Sequence, residues 1–258
     1  MNPYVKKLML LSRAYARAER AVVAAFFEKP RKPMDHLRWL KAQGFKEYSA
    51  IKPLIDALTA LYPNIDRGVS RHDYAALCEK LADETKHARL VMDLLQEISG
   101  KRATPRDLTW LPQDRKLAGV RARYSKSFAA LLHGSGKIRP KEIRRKDEPL
   151  ERAAITLTEG GGGALYQICS KLKKTGVEGK IARVFQQILS DETGHQDTGA
   201  RAMRSLIKTD ASFKRAAKII CEVSRRRLDM RNEQFGFPLR RNELAELDRR
   251  ARQSIETP

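Results

Sequence analysis

Aromatic side chains make up only 7% of these 258 residues, and only three residues are cysteines. So few rings argue against a surface dedicated to stacking bases. Cys78, Cys169 and Cys221 are widely separated, odd in number and set in helical patterns. That usage predicts buried thiols in a reducing cytoplasm and excludes a thiolate metal motif. Long apolar runs are missing too: nothing approaches the roughly 18 apolar residues of a membrane span. Leu8 to Leu11 is too short for a secretory signal and is followed at once by Arg13 and Arg17. The chain therefore reads as soluble and cytoplasmic, with no transmembrane segment. Val, Ile and Thr never alternate over a useful length, so no sheet is expected.

Acidic residues are the last shortage. Lys and Arg number 52 against 31 Asp and Glu, a net charge of +21. The excess lies in a long connection (Arg115, Lys116, Arg121, Arg123, Lys126, then Lys137 to Lys146) and in the last quarter (Arg201, Arg204, Lys208, Lys214, Arg215, Lys218, Arg225, Arg226, Arg227, Arg231). Apolar residues alternate with these charges, which predicts basic helix faces rather than tails. Such a field raises encounter rates with anionic partners. An acidic carrier protein, a tRNA and an anionic membrane surface all qualify, and a solvated face with no partner is the plain alternative.

Against this background one short pattern recurs. Asp83-Glu84-Thr85-Lys86-His87 returns 108 residues later as Asp191-Glu192-Thr193-Gly194-His195. Matching Asp, Glu and Thr before two of the five His has a chance probability on the order of a few in a thousand. Both copies sit in helical periodicity. Leu77, Leu81, Glu84, Ala88, Val91, Leu95 and Ile98 step by three and four, as do Ile181, Phe185, Ile188, Glu192, His195 and Gly199. Glu84, Glu192 and His195 thus stand where the seam calls for Leu or Ile. A buried carboxylate is costly unless paired or bound to metal, and Glu and His three apart project side by side. Metal ligation is the expectation, with satisfied core histidines as the alternative.

Two Glu-x-x-His motifs on separate helices resemble the ferritin-like di-metal carboxylate superfamily, and the Asp before each Glu is similar to the form seen in its oxygenase members. The resemblance covers about residues 45–100 and 150–207 and implies an all-α, ferritin-like four-helix bundle. It would hold two antiparallel hairpins joined by a long crossover in a single domain, 1–258, with accessory helices over 4–28, 115–133 and 210–255. It implies two metal ions, Fe or Mn, held by Glu47, Glu84, His87, Glu159, Glu192 and His195, with Glu84 and Glu192 as bridging catalytic carboxylates. It requires one further Glu from each partner helix. Glu47 fits because it lies 15 residues before Tyr62, as Glu159 lies 15 before Lys174; Glu19 is the rival to Glu47. Asp83 and Asp191 are implied to hold a metal-bound His from the second shell, unless they are solvated charges. Tyr166 shares a face with Glu159 and is a near-site candidate or plain core.

The activity implied is oxygen-dependent hydroxylation, desaturation or N-oxygenation of a small or carrier-tethered organic substrate by an oxidoreductase. It would draw on O2 and an electron-donor protein, and a homodimer fits the family. An iron-handling ferroxidase and a metal-free basic nucleic-acid-binding module are the competing readings.

Along the chain, helix is expected over 4–28, stopped at Lys29-Pro30-Arg31-Lys32-Pro33, and over a short 34–43 ended by Gly44. A turn is expected at Pro63 to Gly68, helix from Leu117 to Leu132, and loop at Gly134-Ser135-Gly136-Lys137 and at Arg144 to Pro149. This Gly-Ser-Gly-Lys lacks the spacing of a phosphate-binding loop. Gly160 to Gly163 is either an interruption or an opening in the third bundle helix, each Gly costing about 1 kcal/mol there. Helices over 210–233 and 241–255 should part at Gly236-Phe237-Pro238.

Overall fold

A computed structural model describes residues 2–125, 148–192 and 197–255, with the backbone alone at 148, 160–162 and 197–201. The protein is all-α: the described residues form ten α-helices and two short 3-10 turns, and no strand. They group into two compact units, Lys32–Trp110 and Met1–Arg31 with Leu111–Pro258.

The unit Lys32–Trp110 is a helical hairpin of α2 (Pro33–Leu61) and α3 (Arg71–Ser99). Pro33 opens α2 at a position whose N–H would have no intrahelical partner. The chain turns through a 3-10 segment, Tyr62–Asn64, and through Asp66 and Gly68, both at positive φ. The Ser70 hydroxyl accepts from His72 N at 3.2 Å to cap α3, which ends on Gly100 at φ 68°. Gly44 does not end a short helix as expected, because α2 runs straight through it. The reason is close packing: a Cβ there would lie 2.9 Å from Leu108 Cδ2 and 3.2 Å from Val91 Cγ1. The expected seam is buried at Ala88, Val91 and Leu95 and half-buried at Leu77, Leu81 and Ile98.

The other unit contains α1 (Pro3–Phe27), α4 (Pro112–Tyr124), α5 (Glu148–Leu157), α6 (Gly160–Cys169), α7 (Gly176–Glu192), α8 (Asp197–Leu206), α9 (Asp210–Gln234) and α10 (Arg241–Gln253). Helix α1 packs on α6, α9 and α10, and α9 also on α4 and α5. Its core joins Leu8, Leu11 and Val22 to Ile219, Ile220 and Val223, each fully buried, and burial of such a side chain contributes about 1.5–3 kcal/mol. Thr209 and Ser212 cap α9 reciprocally.

Of the two alternatives open at Gly160 to Gly163 in the third helix, the structure shows an interruption, and the helix ends at Cys169 rather than near Lys174. Thr158 N and Glu159 N bond back only three residues, to Ile155 O at 2.9 Å and Thr156 O at 3.0 Å, so the chain tightens and restarts. Gly160 to Gly163 form the first turn of α6, with Glu159 at its N-cap, and the helix stops at Cys169. The separation of α9 from α10 at Gly236-Phe237-Pro238 is as predicted. The helix expected to Leu132 ends at Tyr124, with extended Ser125 as its C-cap; residues 126–132 and the loop expected at 134–137 lie outside the described residues, as do 144–147, while Glu148 and Pro149, expected as loop, instead begin α5. Cys169 and Cys221 are buried free thiols as expected, but Cys78 is exposed, on the outer side of α3. No helix among the described residues is long and apolar enough to cross a membrane.

Candidate metal centre

The hairpin of α2 and α3 brings half of the anticipated ligands together. Glu47 stands 15 residues before Tyr62 and Glu84 stands 13 after Arg71, so antiparallel helices carry them at matching heights from the turn. One ligand atom from each of Glu47, Glu84 and His87 lies within 4.8 Å of the others. Glu47 is 5% and His87 1% exposed, while Glu84 is half-buried. Gln43, one turn before Glu47 on the same face, donates from Nε2 to Glu47 Oε1 at 2.5 Å and fixes that carboxylate's orientation. His87 Nδ1 is buried without a hydrogen bond, although the side chain has other interactions. A divalent cation among the three would meet both carboxylates and the imidazole lone pair at once. The donors are oxygen and nitrogen, the set that suits Fe(II) or Mn(II). Among the described residues this is the one such cluster of three.

No protein-family model, curated protein or solved structure matches this chain. What the site can do therefore rests on its own geometry.

Apart from Asp83, which is on α3 beside Glu84, the remaining anticipated residues belong to the other unit. Glu19, the rival to Glu47, is 1% exposed and engaged by two arginines: Arg227 Nε donates to its Oε1 at 2.7 Å, and Arg231 Nη2 to its Oε2 at 3.4 Å. Arg227 and Arg231 are therefore not part of a solvated basic face, as their spacing suggested, being only 6% and 3% exposed. Burial works to lower the pKa of Arg227, and the neighbouring Glu19 outweighs it, leaving the net shift upward. Burial, and then the charge of Arg227, lowers that of Arg121, an effect Glu159 opposes. Glu159 is half-buried within the electrostatic reach of Arg121 and Arg227. Asp83, Asp191 and Glu192 are half-buried. His195 lies outside the described residues. Tyr166 is buried against Phe185, with ring centroids 5.9 Å apart, and so belongs to the core of its unit.

Sequence reasoning missed Gln43 and the role of Arg227 and Arg231. A usable signal existed for each. Gln43 precedes Glu47 by four, and Arg227 and Arg231 are themselves four apart among Ile220, Val223, Leu228 and Met230 on α9, all buried.

Proposed function

We propose that Glu47, Glu84 and His87 hold Fe(II) or Mn(II), and that the protein is an oxidase or oxygenase of the ferritin-like di-iron type acting on an organic substrate. The observation carrying this reading is the approach of two carboxylates and one imidazole, from two helices, to within 4.8 Å of one another in a site where two of the three are buried. The resemblance implies Glu159, Glu192 and His195 as ligands of a second ion, and these belong to the other unit. When bound and reduced, such a metal pair activates dioxygen.

The chain's own residues have definable tasks. Gln43 orients Glu47 through the 2.5 Å hydrogen bond. The Glu84 and His87 side chains, three apart on α3, present their donors to one side of the helix. Burial of Glu47 and His87 limits water at the site and strengthens every electrostatic interaction within it. Half-exposure leaves Glu84 the ligand best placed to shift during turnover.

The test is anaerobic Fe(II) titration of the metal-free protein followed by metal analysis and oxygen uptake with a chemical reductant. The reading expects about two Fe or Mn per chain, and loss of oxygen uptake in Glu84→Ala, His87→Ala and Glu192→Ala. Absence of bound metal would overturn it. Many irons per chain in a large cage would instead identify an iron-handling ferroxidase.

A further inference from the structure

Away from the metal cluster, the surface between α4, α9 and α10 forms an open groove of about 1210 Å³. That exceeds the roughly 300–1,000 Å³ typical of a small-molecule pocket. Seven cationic side chains line it against two carboxylates. Lys116 comes from α4, Lys218, Arg225 and Arg226 from α9, and Arg240, Arg241 and Arg252 from the facing wall. Both carboxylates are already engaged. Glu222 accepts from Arg123 and the Tyr124 hydroxyl, and Asp229 pairs with Arg225 at 3.3 Å and Arg226 at 3.6 Å. Lys116, Lys218 and Arg241 are exposed and form no ion pair with a described residue.

An aromatic ring stands at the rim. Phe237 is 58% exposed and sits at φ 62°, a conformation that bulky side chains resist. The loop holds it there. Asn232 O accepts from Phe237 N at 2.7 Å, and the Asn232 side-chain amide bonds Leu239 twice, donating to its O at 2.9 Å and accepting from its N at 3.1 Å. A strained backbone that pushes a large apolar ring into solvent points to a ligand for the ring rather than to packing.

We infer that this groove binds single-stranded RNA, its cations following the phosphates from two walls while a base stacks on Phe237. Cations on both sides suit a linear polyanion, and the one exposed ring beside them stacks a single base, without the multi-ring platform that the low aromatic content argues against. The Gln113 side chain, which also lines the groove, is an acceptor for a ribose 2′-hydroxyl, which deoxyribose lacks. This inference is independent of the metal cluster, whose residues belong to the other unit.

The test is fluorescence anisotropy of the full chain with a labelled 12-nucleotide single-stranded RNA at several salt concentrations. The same sequence as DNA, and poly-glutamate, serve as competitors. Lys218→Glu with Arg241→Glu should weaken RNA binding at least about tenfold and flatten the salt slope by about 1.4, two contacts at 0.7 each. The control Lys80→Glu with Lys101→Glu makes the same charge change on exposed residues of the other unit and should cost under about threefold. Phe237→Gly relieves the positive φ while removing the ring, and should weaken binding about tenfold without altering the slope. Equal losses in the two charge variants, wild-type affinity in Phe237→Gly, or DNA or poly-glutamate competing as well as RNA would overturn the inference.

Discussion

Glu19 and Glu47 are both buried glutamates on long helices, yet the two units treat them differently. Glu19 meets the guanidinium groups of Arg227 and Arg231, and Glu151, also 1% exposed, meets Arg215. Glu47 meets the neutral amide of Gln43 and comes close to a second carboxylate and an imidazole. In the first arrangement the chain supplies the countercharge in fixed geometry, and the product is structure. In the second it gathers two carboxylates and an imidazole around a point, the arrangement on which the proposed metal site rests. Burial of a carboxylate is therefore no sign of a metal site until its neighbours are known.

The sharpest way to break this contrast is one kind of substitution made in both units. Arg227→Met leaves Glu19 short of its closest cation and should cost about 3–5 kcal/mol, read from the denaturation midpoint at constant m-value. Glu47→Gln, by contrast, should leave the metal-free protein unchanged or up to about 1 kcal/mol more stable, since it removes one of two crowded carboxylates. Destabilisation by several kcal/mol there would show that Glu47 is structural in the way Glu19 is.

Metal addition sharpens the same comparison. At Fe(II) or Mn(II) a hundredfold above the dissociation constant, the wild type should gain about 2.7 kcal/mol, and Glu84→Ala or His87→Ala should gain none. Calorimetric melting with and without the ion decides this. Gly44→Ala tests whether the site depends on the close approach within its hairpin. The new methyl must displace the flexible end of Leu108, so a loss of about 1 kcal/mol is expected, with weaker metal binding.

Smaller effects separate the units by pH and by surface charge. Burial first, and then the hydrogen bond to Glu222, pushes the Tyr124 hydroxyl up to about 12. A group whose pKa rises on folding contributes stability that is complete below its unfolded value of about 10 and is lost as pH climbs through about 12. Tyr124→Phe should flatten the stability profile over that window, and phenolate absorbance should appear late in the wild type. Arg89→Ala, which breaks an exposed pair with Asp93 at 2.9 Å, should change stability by less than about 0.5 kcal/mol.

Much of the metal cluster was legible because it is local. Glu84 and His87 are neighbours on one helix face, and the resemblance called for a Glu from the partner helix, for which a hairpin favoured Glu47 over its rival Glu19. Helix α2 was misjudged because Gly44 carries a strong breaking propensity that close packing against Val91 and Leu108 overrides. In the third helix the run Gly160 to Gly163 left an interruption and an opening equally open, and the structure shows the interruption at Thr158 and Glu159, just before the glycines.

By itself the sequence determined that the described residues are helical, where α1, α9 and α10 begin and end, and that Glu84 and His87 share a face within reach of a Glu on the partner helix, because capping, periodicity and turn signals act over a few residues. Only the tertiary structure decided that Arg227 and Arg231 turn inward to Glu19, that Gln43 supports Glu47, and that Phe237 is held out beside a basic groove. Those outcomes depend on which helix faces meet, and residues 208 and 212 positions apart along the chain carry no local signal of their pairing.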